Sequence, residues 1–271
     1  MHDAEAGPQV IGLLTDFGLI DPYVGQMKAV LAALAPYARV IDISHHVTPH
    51  DPLQGAFFLV ASLRWFPKGS IILAVVDPGV GTARRVVLLD KDGRKILAPD
   101  NGILSQTIAL PGPARAWDLT PSAETPSVKT FHGRDVFAPL AAKLLSGDDP
   151  TKFGPEISPS SLTSIVGTLP EKDNGCVKAR ILHVDRFGNA VLNLDIGSWR
   201  DIMANAAAIA MVKPCENKLD FTGTYADLQP DAVGVLAGSQ GYMELAVNQN
   251  SAAKQLGLAV GDPVVLFLKT L

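Results

Sequence analysis

The sequence predicts an α/β protein: an N-terminal α/β domain with a mainly parallel sheet, followed by a smaller C-terminal antiparallel β-barrel domain. Three observations carry this. Across the first half, apolar runs of strand length alternate with stretches of helical spacing, the pattern of a parallel sheet with right-handed crossovers. Between about residues 148 and 175 the chain turns rich in Pro, Ser, Gly and charge, as a linker or surface crossing does. Beyond it, short strand patterns follow one another between Gly, Asn and Asp turns, which suggests a small barrel or sandwich. We set the two domains at residues 1–165 and 166–271.

The elements follow in order. VIGLL (10–14) reads as a buried strand. Asp21-Pro22 reads as an N-cap and first helical position before YVGQMKAVLAAL, which has apolar residues at helical spacing. ARVIDI (38–43) is a second strand, and Asp51-Pro52 repeats the cap signal before the helix LQGAFFLVASLRWF. SIILAVV (70–76) is a third strand. RVVLLD and KILAP flank KDGR as a hairpin, with Asp92-Gly93 at the turn. VFAPLAAKLLSG (136–147) is a helix ended by glycine. In the second half CVKARILHVD, NAVLNLD, AAIAMV, AVGVLAG, YMELAV and PVVLFL read as strands, and only NSAAKQLGL (250–258) resembles a helix.

Composition narrows the function classes. The chain has 271 residues, 47% of them apolar, enough for a well-filled core. A net charge of −4 argues against a nucleic-acid binder. No apolar run is long enough to span a membrane. MHDAEAGPQV lacks the basic and apolar regions of a signal peptide, so a cytoplasmic protein is expected. Cys176 and Cys215 lie far apart and outside any metal-type spacing, which suits two reduced, buried thiols.

Ligands of an open parallel sheet bind beyond the carboxyl ends of its strands. Two of the three predicted parallel strands run into an acid followed by glycine: LLTDFG with Asp16 and Gly18, and VVDPGVG with Asp77, Gly79 and Gly81. Either acid alone could be a turn cap. Two on one rim point to a site. Arg84 and Arg85 are adjacent, so on a strand they face opposite ways and one alone can reach the rim. Neither phosphate-loop nor dinucleotide glycine pattern is present.

His45, His46 and His50 cluster in DISHHVTPHDP; imidazoles bind zinc or iron, but the spacing matches no standard pattern and a turn before a helix accounts for it, so no metal is assigned. His132 sits in a glycine-containing turn before a helix, beside Arg134 and Asp135, and His183 falls in a strand pattern as a structural residue. Asp185, Phe187, Gly188 and Asn189 occupy a strand–turn–strand junction that a plain hairpin would also explain. Ser239, Tyr242 and Asn248, in AGSQGYMELAVNQNSA, could hold a carboxylate and an amide edge, though such turns are common.

Taken in order, TDFG, DPYVGQMK, DISHHVTPHD, GAFFL, VVDPGVGTARR, APDNGIL, FHGRDVFAP, DRFGN and GSQGYMELAVN resemble the S-adenosyl-L-methionine (SAM) hydroxide adenosyltransferases. These are adenosine-forming SAM hydrolases related to fluorinase and chlorinase, and the resemblance spans nearly the whole chain. It implies an N-terminal α/β domain, a C-terminal β-barrel and a homotrimer with SAM between subunits. The family's Asp, Arg and His triad carries over to Asp77, Arg84 and His132. Asp16 matches the carboxylate that grips the ribose hydroxyls, Asp185 the acid that pairs with the methionine ammonium, and Ser239 a donor to its carboxylate. Asn189 matches an adenine contact, with Phe187 packing on the ring; Tyr242 and Asn248 are carried as substrate-binding residues. The halogenases differ at the triad and carry an insertion after the segment matching DPGVGTARR, where this chain runs directly on into VVLLDKDGRKILAPDNG. They also have a further residue between the matching Asp and Phe, and arginine where Gln240 stands.

The implied reaction is SAM plus water giving adenosine and L-methionine, with no cofactor. Methionine leaves as a neutral thioether, so no acid is needed there. A water must be held in line with the C5′–S bond. Arg84 beside it would favour its ionised form, and either Asp77 or His132 could accept its proton. The alternatives are a SAM-dependent halogenase, a nonenzymatic adenosine- or SAM-binding module, and a metallohydrolase on the three clustered histidines.

Overall fold

The computed structural model describes residues 9–122, 130–165, 169–173, 176–203, 206–213 and 219–270. The chain divides into two compact units, Met1–Ile165 and Val166–Leu271.

Unit 1 is built on strands β1 (Val10–Thr15), β2 (Arg39–Ser44), β3 (Ile71–Val75), β4 (Val86–Lys91), β5 (Arg94–Pro99), β6 (Ala114–Asp118) and β7 (Glu156–Ile157). They form one sheet in the order β2-β1-β3-β5-β4-β6-β7. β2, β1, β3 and β5 run parallel. β4 runs against both β5 and β6, so β6 points the same way as the parallel set. β7 is antiparallel to β6. The sheet is therefore mostly parallel, with β4 and β7 reversed.

Side-chain alternation explains how the sheet is covered. Ile11, Leu13, Ile71 and Leu73 pack with α1 (Tyr23–Leu34) and α4 (Ala138–Leu145). Val10, Leu14, Ile72 and Ala74 face the other way, towards α2 (Pro52–Leu63), with Ile103 and Leu104 just before the short α3 (Ser105–Ala109). Each large side chain buried this way contributes about 1.5–3 kcal/mol. Gly12 leaves room for Phe66, whose ring would lie 2.9 Å from any added Cβ.

Local signals act where the sequence placed them, with a few exceptions. Asp92 and Gly93 have φ of 51° and 78°, the positive pair that a type I′ hairpin turn requires. Asp51 caps α2, accepting from the Leu53 and Gln54 amides at 3.0 and 3.1 Å. Asp21 does not cap α1: Pro22 holds the N-cap position and no side chain bonds the helix start. α2 ends at Leu63, short of Phe66. Gly147, at φ 97°, stops the chain after α4. The Pro- and Ser-rich stretch is not a linker up to residue 165: β7 extends the sheet, and the Ser161 carbonyl accepts from Arg85 at 2.6 Å. Short polar side chains there bond their own backbone instead of leaving it to water, as Asp149 does to Thr151.

Unit 2 contains β8 (Glu171–Asp173), β9 (Cys176–Val184), β10 (Ala190–Asp195), β11 (Ala206–Lys213), β12 (Asp220–Phe221), β13 (Val233–Ala237), β14 (Tyr242–Val247) and β15 (Pro263–Thr270). The order is β11-β15-β9-β10-β14-β13-β12, with β8 also on β9. Pairing is antiparallel except between β12 and β13. Among the described residues no ladder joins β11 to β12. Helix α6 (Ala252–Leu256) matches the helical pattern in NSAAKQLGL, but a second helix, α5 (Ile196–Met203), lies where none was expected. Its start is held by Asp195, which accepts from the Ser198 amide and hydroxyl. Cys176 is half-buried and unbridged, not a core thiol, and Cys215 lies outside the described residues.

The cap at Asp51 is the first expected outcome. Asp51→Ala removes both acceptors at the start of α2 and should cost about 1 kcal/mol, read as a lower urea midpoint at unchanged m-value. An unchanged midpoint would contradict the capping role.

Candidate active site

Strand register puts the two rim acids together. Thr15 pairs with Val75 across β1 and β3, so Asp16 and Asp77 both emerge just beyond the same end of parallel strands. Because β4 is antiparallel to β5, its first residue Val86 sits beside Pro99, the last of β5. The segment preceding β4 therefore returns to that same rim. The turn between β3 and β4 is closed by the Val80 amide on the Asp77 carbonyl and the Thr82 amide on the Gly79 carbonyl, with Gly81 at φ 80°.

This turn delivers Arg84 onto Asp77. Nε donates to Asp77 Oδ1 at 2.7 Å, and Nη2 donates to Oδ2. Nη2 also lies 3.1 Å from His132 Nδ1. The guanidinium stands 5.8 Å from the centre of the Phe137 ring. The Arg84 and Asp77 side chains are only 9% and 5% exposed, so the pair is nearly withdrawn from water. Arg85 turns away, to Asp100 and the Ser161 carbonyl. Thus one arginine reaches the rim and the other is paired elsewhere.

His132 leads into a single π turn, Gly133–Phe137, that runs on into α4. Gly133 packs closely here: an added Cβ would lie 3.1 Å from the Met27 sulfur and 3.2 Å from the Phe131 ring. Arginine has only donors, so His132 Nδ1 must accept. The neutral ring then carries its proton on Nε2. Burial lowers the His132 pKa, the positive charge of Arg84 lowers it further, and Asp77 and Asp135 oppose this. Arg134 and Asp135 pair with each other instead of with the triad.

Asp16 is half-buried and accepts the His50 amide at 2.9 Å. The three clustered histidines diverge. His45 is buried, whereas His46 and His50 are exposed. Among the described residues no group of three or more His, Cys, Asp or Glu could hold a metal ion.

In unit 2 the junction DRFGN is a tight turn organised by Asp185. Oδ1 accepts the Phe187 and Asn189 amides, and Oδ2 accepts Asn189 Nδ2, each at 2.9 Å. Asn189 is buried and Phe187 is 77% exposed. Gly188 has φ 87°, and an added Cβ would strike Ser251. A cavity of about 620 Å³ adjoins the turn, lined by Asp185, Phe187, Gly188, Ser251, Lys254 and Val260 among others. Ser239 is exposed, while Tyr242 and Asn248 are half-buried. Burial and the Asp195 charge push the Tyr242 hydroxyl up to about 12. His183 is half-buried, and burial lowers its pKa.

Two features, one in each unit, went unread in the sequence. Asn101 braces the end of β3, donating from Nδ2 to the Val76 carbonyl at 2.8 Å, next to Asp77. Its segment, APDNGIL, carries an Asn-Gly after a strand, and that was the available signal. Glu244 on β14 is a buried carboxyl bonded by the Tyr225 hydroxyl. Burial raises its pKa, and the Asp185 charge adds to this. A lone Glu within YMELAV gave no hint of it.

An open α/β sheet with an ion-paired, imidazole-bearing rim, followed in the chain by an antiparallel β unit, describes a two-domain α/β protein with a polar cluster at its strand ends. The SAM hydroxide adenosyltransferase N-terminal domain model matches residues 11–154, and the corresponding C-terminal domain model matches residues 179–265. The chain belongs to the SAM hydroxide adenosyltransferase family. It is 39% identical over 263 residues to the (R)-S-adenosyl-L-methionine hydrolase of Thermus thermophilus, covering 93% of this chain and 97% of the relative. A fluorinase from an Actinoplanes species is more distant, 26% identical over 291 residues, covering 96% and 98%. The crystal structure of an uncharacterized conserved protein from Thermotoga maritima aligns with TM-score 0.86 at 30% identity, covering 95% of this chain and 99% of that one.

The lowered His132 pKa has a direct readout. In an NMR titration the His132 ring should protonate at a midpoint below the ordinary imidazole value of about 6.5, so it is neutral across neutral pH and gains charge only on further acidification. Arg84→Gln removes the neighbouring positive charge and should move that midpoint upward. A wild-type midpoint above the ordinary value would contradict the geometry.

Proposed function

We propose that the protein hydrolyses S-adenosyl-L-methionine to adenosine and L-methionine, without metal or organic cofactor, as a cytoplasmic homotrimer with its sites at subunit interfaces. The observation that carries this reading is Arg84 held at once by Asp77 and His132 on the strand rim. The names of the relatives add a configuration that residue types alone did not suggest: the R epimer at the sulfonium. A sulfonium is pyramidal and stereogenic, and hydrolysis of an unwanted epimer would give SAM breakdown a purpose.

In the proposed reaction a water oxygen attacks C5′ from the side opposite sulfur. The C5′–O bond forms, the C5′–S bond breaks, and the electron pair passes to sulfur, which leaves as a neutral thioether. Arg84 favours negative character on the attacking oxygen. His132, with Nδ1 taken by Arg84, presents Nε2–H and so orients the water as a donor. Asp77 is then the group able to take the proton, since each of its oxygens has a further lone pair. The proton passes to Asp77 as the C5′–O bond forms, so no cationic oxygen builds up beside Arg84, and the product oxygen is the neutral 5′-hydroxyl of adenosine.

Asp16 is assigned to the ribose hydroxyls, Asp185 to the methionine ammonium and Ser239 to its carboxylate. Asn189 and Phe187 are assigned to the adenine, with Tyr242 and Asn248 nearby in the binding set. The Arg84–Asp77 pair is nearly buried, which raises the strength of its electrostatic contacts. The hairpin follows directly on Arg85, without the insertion of the halogenases, which favours water over halide.

The test presents R and S epimers of SAM separately in ¹⁸O-labelled water. Adenosine carrying one ¹⁸O at O5′ is expected. Arg84→Ala should lower kcat roughly 10²–10³-fold with a far smaller change in SAM affinity. Absence of adenosine above the enzyme-free control would sink the proposal, and a halide-dependent 5′-halo product would replace it with the halogenase reading.

A further inference from the structure

We propose that His45 is a positioning residue that sets the Asp16 carboxylate for the ribose, acting through the Thr15 hydroxyl. This deepens the reading above and rests on its assignment of Asp16. Thr15 is the last residue of β1 and is completely buried; His45 is 3% exposed. Their side chains meet at 2.9 Å, Thr15 Oγ1 to His45 Nδ1. The same hydroxyl accepts the Phe17 amide at 3.3 Å, and the His45 carbonyl accepts the Gly18 amide at 2.7 Å. Asp16 is therefore bracketed: Thr15 before it is tied to the His45 ring, and Gly18, two residues after it, to the His45 carbonyl.

The far side of the ring fixes its orientation. Nε2 lies 3.1 Å from Asp42 Oδ1, close enough for electrostatic attraction though off the line of a well-formed hydrogen bond. Lys28 of α1 donates to the other oxygen of Asp42 at 2.6 Å. Burial alone would raise the Asp42 carboxyl, but the Lys28 and His45 contacts bring it below its usual range. A carboxylate beside Nε2 favours the tautomer protonated there. Nδ1 then offers a lone pair, and Thr15 donates to it while still accepting from Phe17. From the His45 ring to Phe17 the hydrogen-bond roles are consistent, and the Asp42 carboxylate acts on Nε2 by charge. The strand end carrying Asp16 is thereby held against α1 and the 44–50 segment, whose His50 amide bonds Asp16 itself.

A carboxylate that grips two vicinal hydroxyls needs placement to within a fraction of an ångström. The readout is the ratio of adenosine to 2′,3′-dideoxyadenosine affinity, measured by calorimetry on the full-length protein. A general loss of structure weakens both ligands alike and leaves the ratio unmoved. Wild type should favour adenosine about tenfold or more, as expected for hydrogen bonds to a charged group. Asp16→Ala should abolish the preference. His45→Ala and the near-isosteric Thr15→Val should each lower the ratio at least about threefold, whereas His45→Asn, which keeps an acceptor near the Nδ1 position, should retain it. If Asp16→Ala leaves the wild-type ratio intact, the ribose assignment is wrong. If Asp16→Ala abolishes it but His45→Ala and Thr15→Val do not lower it, the ribose assignment stands and the positioning role of His45 is overturned.

Discussion

Arg84 holds two chemically different partners with one planar group. Two of its nitrogens bind the Asp77 carboxylate and one of these also meets the His132 ring. Withdrawing such a pair from water costs several kcal/mol per ion, and the fork geometry with a third contact offsets that cost. The consequence is fixed roles. Asp77 stays oriented, His132 is confined to one tautomer, and the charge of Arg84 is aimed at the rim without rearrangement. A lysine at position 84 would supply the charge but not the fork.

The fold exists around this constraint in a specific sense. A purely parallel sheet would send the chain away from the rim after Asp77, through a crossover helix. Here the chain turns at Gly79 and Gly81 and enters β4 in the reverse direction, so Arg84 comes back within seven residues. Asn101 then ties the end of β5 to the end of β3. His132 arrives from a third direction, at the head of the π turn, where Gly133 packs closely against Met27 and Phe131. Three segments converge on a rim whose floor is the fully buried middle of the sheet.

Much of this was legible because the signals are local. The buried runs of β1 and β3, the Asp-Gly hairpin and the Asp51 cap each depend on nearest neighbours in the chain. The shared rim of Asp16 and Asp77 followed from strand polarity alone. The choice between Arg84 and Arg85 was half legible: adjacency implied that one must turn away, and only the family spacing said which. The rest was hidden for physical reasons. Asp21-Pro22 looks like a cap, but Pro22 itself takes the N-cap position. The Pro- and Ser-rich stretch bonds its own backbone and packs as an edge, which composition cannot distinguish from a linker. Helix α5 is short and its start depends on Asp195, a residue that reads equally well as a strand end. The role of His45 depends on contacts between residues 28, 42, 45 and 15, which no linear motif reveals.

In the proposed reaction this rim delivers water to C5′ in a single displacement, with Asp77 and His132 orienting it and neither becoming bonded to carbon. The stereochemical course at C5′ tests this most directly. SAM made chiral at C5′ by deuterium should yield adenosine with inverted configuration. Retention would mean two successive displacements through a covalent adenosyl–enzyme intermediate, with Asp77 as the evident nucleophile, and would contradict the account.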